Sequence, residues 1–336
     1  MEPQLLSFDV PDFGQPESTH RIVCWQWGNA DAPRTLICLH GLTRNGRDFD
    51  ALAQALANDY RVLCPDMAGR GKSAWLKNPA GYSYPAYVGD MMFLLRSIIP
   101  PPVGGRLGGG HSLAPKPIMP PPQPSPYGGG SIDWIGTSMG GIVGMMLANA
   151  WPGLIRKLVL NDIGALVSAA GLRRIMSYAG AKASYANRAE AEAALRERCA
   201  TFGIQTEAQW RQFFAHSFMD NSDGTVSVAC DPMIAANLPK LEEVKDVDLW
   251  KLWGAVKKIP TLLIRGAESD ILTHETALQM KKNHPDMTLQ EIPNTGHAPA
   301  LMDASQVALI RSWLARPYEK RTTSFLRSLY MRFFKK

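Results

Sequence analysis

The sequence predicts an α/β protein with a mostly parallel, doubly wound sheet and an inserted helical cap. Apolar strand-like runs alternate with helical stretches in the first half of the chain and again near its end, as in a parallel sheet covered on both faces. The alternation stops between residues 162 and 259, where helical periods rich in Ala, Arg and Glu replace it. One short glycine-flanked turn at residues 136–140 also joins an apolar run to a helical stretch.

The individual elements follow from these periodicities. Strands are expected at residues 5–10, 21–27, 35–40, 60–64, 132–135, 155–160, 261–265 and 287–292. Helices are expected at residues 49–58, 84–99, 139–150, 188–199, 274–282 and 304–315. We therefore divide the chain into a core, residues 1–162 and 259–317, and a helical cap, residues 163–258.

Two further segments differ from the rest in composition. Residues 100–130 hold ten prolines and eight glycines, which predicts a disordered insertion. The insertion leads into the start of the predicted strand 132–135, whereas Ser138 follows the far end of that strand. We therefore do not expect the insertion to form a lid over an active site at Ser138. An inert linker is favoured over a proline-rich docking segment. Residues 318–336 form a basic tail with apolar residues at helical spacing, which predicts an amphipathic helix that either docks on its own domain, stays disordered, or contacts a membrane or hydrophobic granule.

Composition excludes several classes of protein. With 336 residues, 46% of them hydrophobic and 20% charged, the chain resembles a globular protein and contains no apolar run of the ~20 residues that a membrane span needs. The first residues lack the basic and apolar stretches of a secretory signal, so we expect a cytoplasmic protein. The five cysteines have no C-x-x-C spacing, which favours reduced thiols and predicts no metal site. No cofactor is expected.

The net charge of +6 does not indicate a nucleic-acid partner. From Tyr318 onward, six cations face a single anion, so the tail carries most of the excess and the remaining body is nearly neutral. A neutral body offers no broad phosphate-binding face. A small apolar molecule is the expected ligand.

Ser138 is the predicted nucleophile. A serine hydroxyl is weakly nucleophilic, so it needs a sharp turn where a base can reach it. Gly136 and Gly140 supply the small flanks that let the chain reverse between strand and helix.

An activated serine also needs a base and an acid, which in this fold class follow in the chain order Ser, Asp or Glu, His. His297 lies in a turn just after the last predicted strand, and we predict that it is the base. Asp270, in a turn after the penultimate strand, is the first candidate for the acid. Asp162, which ends an earlier strand, is the second candidate, and Glu268 also lies close in sequence.

The developing oxyanion needs two backbone donors. One is expected from Met139, directly after the serine, and the other from Leu42 in the turn after the third strand. Gly41 allows the backbone orientation that this loop requires. His40 is interpreted as a structural residue beneath the loop.

Taken together, these segments resemble the α/β-hydrolase superfamily over nearly the whole chain. The matching motifs occur in register and are HGL (residues 40–42), DMAGRGKS (66–73), GTSMGG (136–141), GAESDIL (266–272) and TGHAPAL (295–301). The resemblance implies a triad of Ser138, Asp270 and His297, with the Leu42 and Met139 amides as oxyanion hole. The elbow is similar to those of carboxylesterases, enol-lactonases and carbon–carbon bond hydrolases, whereas the epoxide-hydrolase and dehalogenase branches use Asp as nucleophile.

The predicted function is therefore a serine hydrolase of the carboxylesterase type, which cleaves a carboxylic ester, lactone or short oligoester through an acyl-enzyme. The alternatives are carbon–carbon bond hydrolysis or a non-hydrolytic, ligand-binding use of the fold. Arg173 and Arg174 at the start of the cap could meet a carboxylate, although solvated arginines are more common. Seven large side chains of the cap either line an acyl pocket or pack the cap on the core: Trp210, Phe213, Phe214, Phe218, Met219, Trp250 and Trp253.

Overall fold

The computed structural model of the chain describes residues 1–98, 132–179 and 184–318. The predicted insertion at 100–130 lies outside the described residues, as does the predicted tail from residue 319 onward. Within these three ranges, each helix is too short or too polar to cross a lipid bilayer.

The predicted strands and helices occur in the predicted order, and the structure adds further elements between residues 163 and 258. The strands are β1 (Gln4–Asp12), β2 (Gln15–Trp27), β3 (Thr35–Leu39), β4 (Arg61–Asp66), β5 (Ile132–Thr137), β6 (Ile155–Asn161), β7 (Leu166–Val167), β8 (Ser184–Tyr185), β9 (Phe218–Asp220), β10 (Val226–Val228), β11 (Val247–Asp248), β12 (Thr261–Gly266) and β13 (Met287–Ile292). The helices are α1 (Asp50–Leu56), α2 (Tyr84–Ile98), α3 (Met139–Ala150), α4 (Ala169–Met176), α5 (Arg188–Arg198), α6 (Glu207–Phe214), α7 (Trp250–Val256), α8 (His274–Lys282) and α9 (Ala304–Ala315). Several short 3-10 turns connect them.

The main sheet has the strand order β1-β2-β4-β3-β5-β6-β12-β13. Strands β4, β3, β5, β6, β12 and β13 pair in parallel, while β1 and β2 form an antiparallel edge. The prediction of a mostly parallel α/β sheet is confirmed. Because the parallel strands point the same way, the residues that follow β5, β6, β12 and β13 emerge at one edge of the sheet.

The core lies on both faces of this sheet, and β3 illustrates how its sequence achieves this. Successive strand residues point to opposite faces. Ile37 and Leu39 join the apolar cluster that contains residues of α2 and α3, whereas Leu36 and Cys38 join the cluster that contains residues of α1 and α9. A strand buried on both faces must be apolar at every buried position, which explains the continuous apolar run at 36–39.

Residues 163–258, which we call the cap segment, contain α4 to α7. They also contain the short strands β7 to β11, which the sequence analysis did not predict. Strands β8, β10 and β9 form one small antiparallel sheet, and β7 pairs with β11. A separate apolar cluster, centred on Trp210, Phe213, Phe214 and Phe218, holds α5 and α6 together.

Candidate active site

The turn at Ser138 is a strand-to-helix elbow. β5 ends at Thr137, α3 begins at Met139, and Ser138 between them has φ 51° and ψ −115°. Such a backbone conformation costs a non-glycine residue ~1–3 kcal/mol. The flanking glycines are required by close approach, since a Cβ on Gly140 would lie 2.1 Å from the carbonyl oxygen of Leu39. The fold therefore holds Ser138 in one strained orientation.

The Ser138 hydroxyl faces His297. Ser138 is the N-cap residue of α3, yet its side chain makes no capping hydrogen bond. Instead, its Oγ lies 2.9 Å from Nε2 of His297. The imidazole is buried, with 6% of the residue exposed, and it belongs to the turn after β13. The two residues that the sequence predicted as nucleophile and base are thus within hydrogen-bond distance, although 159 positions separate them.

The carboxylate in contact with His297 is Asp162. Its Oδ2 lies 2.9 Å from Nδ1 of His297, and its Oδ1 accepts a 2.8 Å hydrogen bond from the backbone N–H of Gly266. Asp162 is fully buried and, with φ 55°, turns sharply out of β6. With a carboxylate at Nδ1, the imidazole carries its proton there and leaves the lone pair of Nε2 directed at Ser138.

Asp270, the first candidate for this contact, lies elsewhere, and the prediction that it contacts His297 is wrong. Its two carboxylate oxygens accept hydrogen bonds of 2.6 Å from Nε and 2.7 Å from Nη2 of Arg174 in α4. The physical reason is competition: a planar guanidinium fork matches both carboxylate oxygens at once. The pair is about one-third exposed. It joins α4 of the cap segment to the turn after β12 in the core, and we call its position the rim of the site.

Asn161, which the sequence analysis did not single out, holds the site together. Its Nδ2 donates to Oγ1 of Thr137 at 3.0 Å and to the carbonyl oxygen of Pro299 at 2.8 Å. It therefore ties the elbow to the loop that carries His297. Its position directly before Asp162 at the end of β6 is the only signal in the sequence.

The predicted oxyanion loop passes beside the nucleophile. A Cβ on Gly41 would lie 3.8 Å from the Cβ of Ser138, so Leu42 follows within the same wall of the site. Met139 is the first residue of α3, where a backbone N–H has no partner within the helix. Leu42 thus lines the cavity in front of Ser138, and Met139 directly follows the serine in the chain.

His40 braces this loop from below. Its Nε2 accepts a 3.0 Å hydrogen bond from the N–H of Met67, so its Nδ1 carries the proton and donates to the carbonyl oxygen of Gly41 at 2.7 Å. Burial lowers the pKa of His40 to about 3. His40 is therefore neutral near pH 7, in keeping with the structural role expected from the sequence.

This gives a testable pH dependence of stability. The unfolded chain protonates His40 below pH ~6.5, whereas the folded protein does not, so the folded state loses stability on acidification. We expect His40→Gln, which cannot titrate, to reduce the loss between pH 6.5 and 5 by ~2 kcal/mol. Urea unfolding of both proteins at the two pH values measures the difference. An equal loss in both would contradict a buried, neutral His40.

A small cavity of about 60 Å³ opens in front of Ser138 and His297. The cap segment contributes Ile175, Tyr178, Phe202 and Phe213 to its wall. The core contributes Arg44, which contacts the Phe213 ring and holds Asp48 through hydrogen bonds of 2.9 Å from Nε and 2.5 Å from Nη2. The space is therefore largely apolar, with one ion pair in its wall.

The aromatic residues of the cap segment divide between packing and cavity lining. Phe213 lines the cavity and has the Arg44 guanidinium 3.8 Å from its ring centroid. Trp210, Phe214 and Phe218 pack within the cap cluster. Trp253 belongs to the main core. Of the two cap arginines, Arg174 pairs with Asp270, as described above, and Arg173 donates to the carbonyl oxygen of Val244.

Metal ligation finds no support in the residues that the structure describes. In that part of the chain, no group of three or more His, Cys, Asp or Glu side chains is arranged to hold a metal ion.

Comparison with known proteins identifies the family of the chain. The alpha/beta hydrolase family model matches residues 36–309. A curated relative, the 3-hydroxybutyrate-oligomer hydrolase of Cupriavidus necator, is 36% identical over 301 residues, which cover 88% of this chain and 92% of that protein.

Solved structures give the same result. An alpha/beta hydrolase from Novosphingobium aromaticivorans has a TM-score of 0.75 and 31% identity, covering 94% of this chain and 99% of that one. An esterase of Mycobacterium tuberculosis has a TM-score of 0.63 and 18% identity, covering 94% of this chain and 93% of that one. The second likeness shows the shared fold alone.

Proposed function

Because the chain belongs to the α/β-hydrolase family, we propose that Ser138, His297 and Asp162 are the catalytic triad of an enzyme that hydrolyses short oligoesters of 3-hydroxy acids. The observation that carries the triad is the continuous hydrogen-bond path from Ser138 through His297 to Asp162, with both links at 2.9 Å. The substrate class is supported by the 36% identity to a 3-hydroxybutyrate-oligomer hydrolase over most of both chains.

The first half of the reaction forms an acyl-enzyme. Nε2 of His297 accepts the Ser138 proton while Oγ attacks the ester carbonyl carbon. The negative charge that develops on the carbonyl oxygen is placed between the Met139 and Leu42 amides, our proposed oxyanion hole. As the ester C–O bond breaks, the imidazolium returns the proton to the leaving alkoxide, which departs as the free hydroxyl of a hydroxy acid.

The second half releases the acid. A water molecule replaces the alcohol, transfers a proton to Nε2 of His297 and attacks the acyl carbon. The bond to Ser138 Oγ then breaks, and Oγ recovers the proton. Throughout the cycle, the buried carboxylate of Asp162 keeps Nδ1 protonated and stabilises the imidazolium.

Cavity size favours a short acyl unit. A volume of about 60 Å³ is small beside the ~300–1,000 Å³ of pockets that enclose drug-sized ligands. The Arg44–Asp48 pair in the wall supplies a donor and an acceptor, which suits the hydroxyl and carbonyl groups of a hydroxy acid better than an unbranched hydrocarbon.

A chain-length series tests this proposal. We expect release of 3-hydroxybutyrate from its dimer and trimer, and a fall of at least ~10-fold in kcat/KM from p-nitrophenyl butyrate to the decanoate, because a long acyl chain cannot enter the cavity. Chromatography of the hydroxy acids and the absorbance of p-nitrophenolate measure the two results. No turnover of any ester would favour carbon–carbon bond cleavage or ligand binding, whereas equal rates for butyrate and decanoate would contradict only the short-chain preference.

Two further properties are proposed on the sequence alone. A cytoplasmic location is suggested by the five scattered cysteines, whose spacing is that of thiols kept reduced. Contact of residues 318–336 with a membrane or granule surface is suggested by their basic, amphipathic pattern.

A further inference from the structure

Arg198, the last residue of α5, lies over the ring of a residue that lines the cavity. Its Cζ is 5.0 Å from the ring centroid of Tyr178, which lines the cavity in front of Ser138. Its Nη2 lies 3.5 Å from the hydroxyl oxygen of Tyr185, and the residue is partly exposed. A planar guanidinium stacked on an aromatic ring is partly pre-organised for binding an anion.

No carboxylate neutralises this charge among residues 1–98, 132–179 and 184–318. In contrast, three other arginines form ion pairs. Arg44 of the cavity wall pairs with Asp48, Arg174 of α4 with Asp270, and Arg196 of α5 with Glu207. The remaining residues of the sequence contain one acid, Glu319. A guanidinium next to the cavity is therefore left with its charge uncompensated.

Three guanidinium groups converge on this side of the cavity. Burial raises the pKa of the Cys199 thiol to about 11, and Arg44, Arg198 and Arg174 each act in the opposite direction, so all three lie within electrostatic reach of one buried sulfur. Arg44 forms an ion pair with Asp48, and Arg174 forms one with Asp270. Of these three guanidinium groups, Arg198 is therefore the one without an ion pair among the residues that the structure describes.

We propose that Arg198, stacked on Tyr178, binds the free carboxylate end of the oligoester. This inference rests on the proposed function, because every oligoester of hydroxy acids ends in a carboxylate and simple neutral esters do not. Arg198 then selects chain ends carrying a free acid and orients the terminal unit against Ser138. It is a specificity-determining residue that touches substrate without taking part in proton transfer.

Binding measurements on Ser138→Ala protein test the proposal without any turnover. The ligands are the 3-hydroxybutyrate dimer and its methyl ester, titrated by calorimetry. We expect the free acid to bind about 10-fold more tightly, the size of a partly exposed charge-assisted hydrogen bond. Adding Arg198→Gln should bring this ratio close to one, and Arg198→Lys, which keeps the charge, should restore part of it.

Arg196→Gln is the matched control. Arg196 lies on the same helix, stacks on Trp210 at 4.7 Å and is also partly exposed, but it is paired with Glu207. Its replacement should leave the ratio at about 10-fold. Equal affinities for acid and ester in the parent, an unchanged ratio in Arg198→Gln, or no binding of the free acid would each overturn the proposal. Failure of the proposed function is seen separately, as absence of methyl-ester hydrolysis by protein that retains Ser138.

Discussion

Replacing Ser138 by alanine is expected to lower kcat for ester hydrolysis by about 10⁵-fold, because no other group can form the acyl-enzyme. The residual rate would come from the amides and from substrate binding alone. Steady-state hydrolysis of p-nitrophenyl butyrate measures the loss. KM should change much less, since the hydroxyl contributes to the reaction and little to binding.

Ser305→Ala is the control for this experiment. Ser305 lies near the start of α9, where its exposed hydroxyl donates to Asp303 at 2.5 Å. Its loss affects a helix cap far from the elbow in the chain and should leave kcat within ~2-fold of the parent. Similar rates for the parent and Ser138→Ala would exclude Ser138 as the nucleophile.

The second large effect separates the two candidate acids. Asp162→Asn should lower kcat by about 10⁴-fold, whereas Asp270→Asn should change it by less than about 10-fold. In Asp162→Asn, the N–H of Gly266, which donates to Oδ1 at 2.8 Å, selects the amide oxygen for itself. The NH₂ group then faces Nδ1 of His297, forces the proton onto Nε2, and leaves nothing to accept the Ser138 proton.

Asp270→Asn serves as the matched partner because it makes the same chemical change at the rim. It weakens the ion pair with Arg174, which at about one-third exposure is worth ~0–1 kcal/mol. Parallel kinetics and thermal unfolding of the two variants compare them. A larger loss of kcat in Asp270→Asn than in Asp162→Asn would return Asp270 to the role of acid and contradict the geometry proposed here.

The core strands and the elbow could be predicted because their signals are local. β3 is a short apolar run and β5 a short, mainly apolar one that ends at a glycine-flanked turn, and both occur where expected. Ser138 and His297 each follow a strand of the same parallel sheet, so topology alone brings them to one edge. The strands β7 to β11 were missed because two or three residues are too few to establish a period.

The choice between Asp162 and Asp270 could not be made from the sequence, for a physical reason. β6 and β12 are neighbours in the sheet, so both carboxylates emerge side by side at the edge where His297 lies. What separates them is the φ of 55° that turns Asp162 inward and the guanidinium of Arg174 that holds Asp270 outward. The second contact joins residues 96 positions apart, and no local pattern encodes it.

Tyr178 and Arg198 were missed for a related reason. They lie on different elements of the cap segment, and neither belongs to a motif. Their relation to Ser138 arises only when α4 and α5 fold over the edge of the sheet. Which arginines near the cavity form ion pairs thus depends on the tertiary structure, and the sequence does not show it.

The ion pair between Asp270 and Arg174 has a consequence for how this enzyme can diversify. Since Asp162, our proposed acid of the triad, is fully buried, the partly exposed Asp270 has no part in the proposed mechanism. Substitutions at 270 or 174 can change how strongly the cap segment is held to the core. They can therefore change which molecules enter the cavity, while kcat at Ser138 is retained. Such a division lets substrate range evolve independently of catalytic power.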